Sequence, residues 1–218
     1  MPKRSGARRP YLSCTAIAIL KLMASDLTKD FTVRGLSQGI HQDYRITYET
    51  VDRLSKNGIL NLERKAHLRI CHLRLDRNIQ TIAFIESLRT KEFSSSKPSI
   101  RILLSTVISR LTNLSPFLCL ILFGSFIRPK TVSQSDLDIL LVLSDLTLQS
   151  RVENELASVM RTSTVSFHEV ILSADQFLSL LSQGRTERRP NVATELLGNH
   201  IVPYGAETFY SLLSRILP

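Results

Sequence analysis

The stretch LFGSFIRPKTVSQSDLDILLVL, Leu122 to Leu143, constrains the fold of this 218-residue chain more than any other. Asp136 and Asp138 stand two positions apart in a run that is otherwise aliphatic. On a strand such residues project from the same face, about 7 Å apart along the chain. Leu137, Ile139 and Leu141 then point the other way, into a core, so the backbone holds the two carboxylates rigidly. Gly124-Ser125 follows a second apolar strand, Leu118 to Phe123, where a glycine lets the chain turn sharply and approach a ligand closely.

Two hard oxygen donors on one face suit Mg²⁺, which completes its shell with water and substrate phosphates. The N–H groups and the Ser125 hydroxyl of the turn suit the polyphosphate that such ions bridge. The chemistry indicated is nucleotidyl transfer, in which two ions activate a hydroxyl and stabilise the departing pyrophosphate. Paired aspartates at a strand edge can instead cap a turn, and Gly-Ser can mark only a loop. The full spacing favours the site.

FGSFIRPKTVSQSDLDILLVL resembles the signature of the minimal nucleotidyltransferases of the DNA polymerase beta superfamily: a GS turn, an arginine and an SDxD strand. Gly124, Ser125, Arg128, Ser135, Asp136 and Asp138 carry the resemblance. The tail GNHIVPYGAETFYSLL is similar to the C-terminal segment of archaeal members, where fusions of a winged helix to this domain are familiar. The resemblance implies an NTP held by Gly124, Ser125, Arg128 and Ser135, and two Mg²⁺ ions held by Asp136 and Asp138. It also implies a third carboxylate on a neighbouring strand, which helps to bind the catalytic ion and orients the nucleophile.

In VSFHEVILSADQF, Val170 falls at that third-acid position. Glu169, one residue off, is the candidate for the third catalytic and metal-binding carboxylate, but the pleat aims it at the opposite face unless a bulge intervenes. His168 shares the face of Val170. Pro129 after Arg128, and Ile127 in place of a small residue, stiffen and crowd the phosphate turn. Minimal members of the family include antitoxins that nucleotidylate a toxin partner and toxins that modify tRNA. The implied acceptor is therefore a protein, RNA or small-molecule hydroxyl. The alternative is a DNA-binding regulator whose second domain senses nucleotide without turnover; Val170 in place of an acid favours it.

The whole chain reads as an α+β and α/β two-domain protein, with an N-terminal winged helix-turn-helix and a C-terminal nucleotidyltransferase fold built on a small mixed sheet. Residues 1–10 form a basic arm, 11–90 the first domain, 91–98 a linker and 99–218 the second domain. Helices are expected at Ser13–Ala24, Val33–Ile40 and Tyr48–Asn57, capped at Thr32 and Thr47, before a hairpin made by GILNLERK and HLRICHLRLD. TVRGLSQGIHQDYRITYETVDRLSKNGIL resembles the winged helix-turn-helix domains of prokaryotic regulators. An amphipathic segment, Ile79–Leu88, follows and is a candidate for pairing with a second copy in a homodimer. Beyond the linker come a helix at Ser99–Leu111, strands at Leu137–Leu143 and Val165–Leu172, and helices near Val152–Met160, Gln176–Leu181 and Ala206–Ile216.

A formal net charge of +9 points to an acidic partner, with nucleic acid first. Double-stranded DNA would meet Arg45, Tyr48, Arg53 and Lys56 on the third helix and Arg64, Lys65 and Arg69 on the wing. Glu49 and Asp52 leave the helix face close to neutral, so backbone positioning is better supplied than base reading. The basic loop QGRTERRP, with Arg185, Arg188 and Arg189, is a further candidate for steering nucleotide or nucleic acid. Cys14, Cys71 and Cys119 form no CxxC pair and fit a reducing cytoplasm. Lys21 interrupts the apolar run after the basic N-terminus, and LSPFLCLILF falls far short of the ~20 residues of a membrane span. A soluble cytoplasmic protein without a membrane partner is the expectation.

Overall fold

The computed structural model describes residues 12–114, 117–128, 136–144, 146–184 and 191–217. Ser135, the basic arm at 1–10 and the arginines of QGRTERRP lie outside the described residues. Mixed α/β architecture is observed, with two small sheets, each accompanied by helices.

The first half runs α1 (Cys14–Ser25), β1 (Phe31–Thr32), α2 (Val33–Gly39), α3 (Tyr44–Lys56), β2 (Leu60–Lys65), β3 (Leu68–Leu73) and α4 (Leu75–Ser95). Ser13 caps α1 by accepting from Ala16 N–H, and Thr32 caps α2 by accepting from Gly35 N–H. The third helix starts a turn earlier than the sequence suggests. Asp43, not Thr47, is its N-cap, with its carboxylate accepting from the N–H groups of Arg45 and Ile46. Thr47 is buried inside the helix and its hydroxyl donates back to the Asp43 carbonyl. An alanine at Asp43 is expected to cost about 1 kcal/mol, read as a lower urea midpoint with an unchanged slope.

Gly58, at φ +72°, ends the turn after α3, and β2 pairs with β3 in an antiparallel hairpin from Leu60↔Leu73 to Lys65↔Leu68. The two-residue β1 completes the sheet in the order β1-β3-β2. Helix α4 extends well beyond Ile79–Leu88, and residues 91–95 of the expected linker are its last turn and more. It bends at Asn78, whose amide donates to the carbonyls of Gly58 and Arg74.

The second half comprises α5 (Pro98–Leu114), β4 (Phe117–Phe123), β5 (Leu137–Leu143), α6 (Gln149–Thr162), β6 (Phe167–Ser173), α7 (Ala174–Gly184), α8 (Val192–Gly198), β7 (His200–Tyr204) and α9 (Ala206–Leu213). Its sheet has the order β6-β5-β4-β7. The pair β5–β6 is parallel, with α6 in the crossover that parallel strands require, and the other two pairs are antiparallel. Leu120, Leu122, Leu137, Ile139 and Leu141 face a core shared with α5 and α6. Cys119, Ile121, Phe123, Leu140 and Val142 face a second core that is continuous with α1, α4, α7, α8 and α9. The sheet of the second half thus packs on a core to which the first half contributes.

A buried polar cluster lies in that shared region. Glu86 and Arg89 of α4 pair with each other. Arg89 donates to the carbonyls of Ala24 (3.0 Å) and His200 (2.6 Å), and Glu86 accepts from Val202 N–H (2.9 Å) and the Tyr210 hydroxyl (3.0 Å). The His200 ring lies 2.9 Å, through Nδ1, from the Leu196 carbonyl. Burial, with Arg89 alongside, pushes His200 down to about 3, so it is neutral in the fold. The unfolded chain takes up a proton below about pH 6.5 and the folded one does not, so stability present above that value is lost as pH falls towards 3. At pH 5 this amounts to about 2 kcal/mol relative to pH 7. Burial raises the Glu86 carboxyl and acts with the opposite sign, but it does so equally in a His200→Asn variant. Denaturant unfolding at the two pH values should therefore show a smaller pH-dependent loss in His200→Asn than in the wild type.

Candidate nucleotide and metal site

The site forms where β4 ends and β5 begins. Phe123 of β4 pairs with Asp138 of β5, so the turn after β4 begins beside that carboxylate. Gly124 adopts φ +83° and ψ −167°, a conformation essentially restricted to glycine. A Cβ on Gly124 would fall 2.0 Å from Asp138 Oδ2, so the carboxylate occupies the space a side chain would need. Ser125 to Ile127 make one tight 3₁₀ turn, closed by Arg128 N–H to the Ser125 carbonyl (3.1 Å). Ser125 and Arg128 are exposed.

Asp138 projects with Leu140 from one face of β5 and Asp136 stands just before the strand, while Leu137 and Ile139 are buried in the other core. Burial raises the Asp138 carboxyl above its ordinary value; His168 opposes this, and the charges of Glu195 and Asp136 add to it. A divalent cation would reverse that balance by favouring the ionised form.

Strand β6 decides the third position. Its parallel register with β5 runs unbroken from Leu137↔Phe167 to Leu143↔Ser173, giving Asp138↔His168, Ile139↔Glu169 and Leu140↔Val170. Neighbours in register share a face, so His168 and exposed Val170 join the carboxylates, and His168 Nε2 lies 3.8 Å from Asp136 Oδ2. Glu169 lies on the side of Ile139, and no bulge turns it round. The structure therefore brings Asp136, Asp138, Gly124, Ser125 and Arg128 together and leaves Glu169 apart.

Three neighbours escape the sequence reading. Helix α8 carries Glu195, whose Oε1 lies 3.0 Å from Arg128 Nη2, and it leads to Asn199, whose amide donates to the Gly124 carbonyl (3.2 Å). Lys97, between α4 and α5, has its ammonium 4.5 Å from the ring centres of both Phe93 and Phe126, the latter in the turn itself. Helix α8 had a local signal, because Asn191 and Thr194 form a reciprocal capping box. Lys97 and Glu195 had none, since only tertiary packing carries them to the turn.

Among the described residues no three of His, Cys, Asp and Glu converge as a ready metal cage. Two carboxylates nevertheless fit Mg²⁺, which is commonly held by one or two carboxylates with phosphate and water completing its shell. Asp136 and Asp138 would hold it, and it would neutralise the phosphate charge that the acidic face otherwise repels.

In the first half, the expected DNA contacts are largely engaged with protein groups. Arg45 pairs with Glu49 (3.0 Å), Lys56 with Asp52 (2.7 Å) and Lys65 with Asp30 (3.3 Å), while Arg53 donates to the Ser13 hydroxyl (3.1 Å). Arg69 donates to the Tyr48 hydroxyl (2.8 Å) and lies over its ring, joining ribbon to helix, with Arg64 beside Arg69 in register. Exposed ion pairs of this kind are weak enough to exchange for phosphate. No helix among the described residues is long and apolar enough to cross a membrane. Compared with known protein families, with curated proteins and with solved structures, the chain matches none.

Proposed function

We propose that the second half binds a nucleoside triphosphate as its magnesium complex and that the chain is a nucleotide-responsive, DNA-binding regulator with a nucleotidyltransferase-like domain. The observation that carries this reading is the closure of Asp138 over Gly124, which unites a phosphate-type turn and a carboxylate pair in one site. Ser125 and Arg128 face the phosphates, and Asp136 and Asp138 face the cation. The helix–helix–helix–ribbon order of the first half, read as a winged helix-turn-helix, supplies the DNA contact through Arg45, Tyr48, Arg53, Lys56, Arg64, Lys65 and Arg69. A core continuous across both halves gives nucleotide binding a physical route to that surface.

Sensing leads over turnover because the register of β6 offers His168 and Val170, not an acid, beside the aspartates. The second reading, transfer of a nucleoside monophosphate to a protein or RNA hydroxyl, is favoured by one observation: the imidazole of His168 stands beside Asp136, where a proton acceptor is useful. One experiment separates the two. Pure protein is incubated with Mg²⁺ and each labelled NTP, with and without cell extract as acceptor source, while duplex-DNA retention is followed. Nucleotide-dependent DNA retention without pyrophosphate release is the expected result. Pyrophosphate release with label transfer, absent in Asp136→Ala, would establish the transferase instead.

A further inference from the structure

We propose that Glu195 is a built-in competitor of the nucleotide phosphate for Arg128, an autoinhibitory ion pair that an incoming phosphate must displace. The inference rests on the nucleotide-binding reading of the Gly124–Arg128 turn. Arg128 Nη2 and Glu195 Oε1 stand 3.0 Å apart, and a guanidinium accepts a phosphate with the same fork that it offers a carboxylate. Both cannot fill the same edge of the fork at once.

The position of Glu195 is built in. Asn199, one helical turn further on, donates to the Gly124 carbonyl, and the Leu197 carbonyl accepts from Leu27 N–H (2.9 Å), so α8 is fastened at both the turn and the chain after α1. The capping box of Asn191 and Thr194 fixes its start. These bonds hold Glu195 beside Arg128. The pair is also open enough to separate, since the two side chains keep 57% and 37% of their exposure.

The aspartates beside the turn decide the form in which a phosphate arrives. Glu195 occupies Arg128, and the carboxylates of Asp136 and Asp138 stand beside the Gly124 turn on the adjoining strand. A bare phosphate meets repulsion from the two aspartates. A phosphate that arrives with a divalent cation brings the charge that Asp136 and Asp138 require and takes Arg128 from Glu195. The ligand class selected is a polyphosphate in complex with a divalent cation.

An exposed pair of this type is populated only a few-fold over its open form, which sets the size of the effect. Titration of a fluorescent ATP analogue with Mg²⁺ should show about three- to fivefold tighter binding to Glu195→Gln than to the wild type. Arg128→Ala should weaken binding, and adding Glu195→Gln in that background should change nothing further. Unchanged or weaker binding in Glu195→Gln, or an equal gain in the Arg128→Ala background, overturns the competition while leaving the nucleotide site intact. A folded wild type that fails to bind the analogue overturns the nucleotide reading and this inference with it.

Discussion

Alanine at Arg89 is expected to lower the unfolding free energy by about 3–5 kcal/mol, the scale seen when one partner of a buried ion pair is removed. Arg89 is 8% exposed and Glu86 wholly buried. Removing the guanidinium leaves the Glu86 carboxylate without its cation and the Ala24 and His200 carbonyls without their donor. The remaining contacts from Val202 N–H and the Tyr210 hydroxyl are too few to hold a charge there, so Glu86 must take up a proton or the region must open. Thermal and urea unfolding of Arg89→Ala measure the loss directly. An Arg89→Met, Glu86→Leu double variant should recover only part of it, because it removes the uncompensated charge but leaves the Ala24 and His200 carbonyls, Val202 N–H and the Tyr210 hydroxyl without these partners. If instead the single variant costs under about 1 kcal/mol, the cluster does not fasten α4 to β7 and α9 as described.

Gly124→Ala should abolish measurable nucleotide binding while leaving most of the fold. Alanine at φ +83°, ψ −167° costs about 1–3 kcal/mol in backbone strain alone. Its methyl group would also fall 2.0 Å from Asp138 Oδ2, so the carboxylate or the turn must move. Either movement separates the turn proposed to bind phosphate from the pair proposed to bind the cation. Circular dichroism and the unfolding midpoint report the fold, and fluorescence titration with Mg²⁺ and an ATP analogue reports the site. Wild-type affinity in the variant would mean that the turn takes no part in binding.

Much of the second half was legible because its signals are local. Leu137 to Leu143 reads as a strand from its aliphatic alternation with Asp136 and Asp138, and the structure keeps those limits. The Gly124-Ser125 turn follows from glycine's freedom to adopt a left-handed φ. Pleat periodicity alone already sets Glu169 off from the aspartates, and the register Ile139↔Glu169 puts it on the opposite face from Asp138. The start of α3 was misplaced for a chemical reason: threonine and aspartate both cap helices, but Thr47 is wholly buried and Asp43 is free to bond the first turn. Glu86, Arg89, His200 and Tyr210 were invisible as a group, since sequence separations of up to 124 residues leave no pattern. Helix α8 and strand β7 were missed as elements because each is short, at seven and five residues, and periodicity needs length.

Asp136 and Asp138, beside the Gly124 turn, are proposed to hold a nucleotide through a divalent cation. Isothermal titration of ATP into the protein, with Mg²⁺ and with EDTA, tests this claim in wild type and in an Asp136→Asn, Asp138→Asn variant. Saturable binding that requires Mg²⁺ and weakens at least about tenfold in the variant is the predicted result, as loss of both cation ligands demands. Binding of equal strength in EDTA or in the folded variant, or no binding to the wild type at all, would contradict the claim.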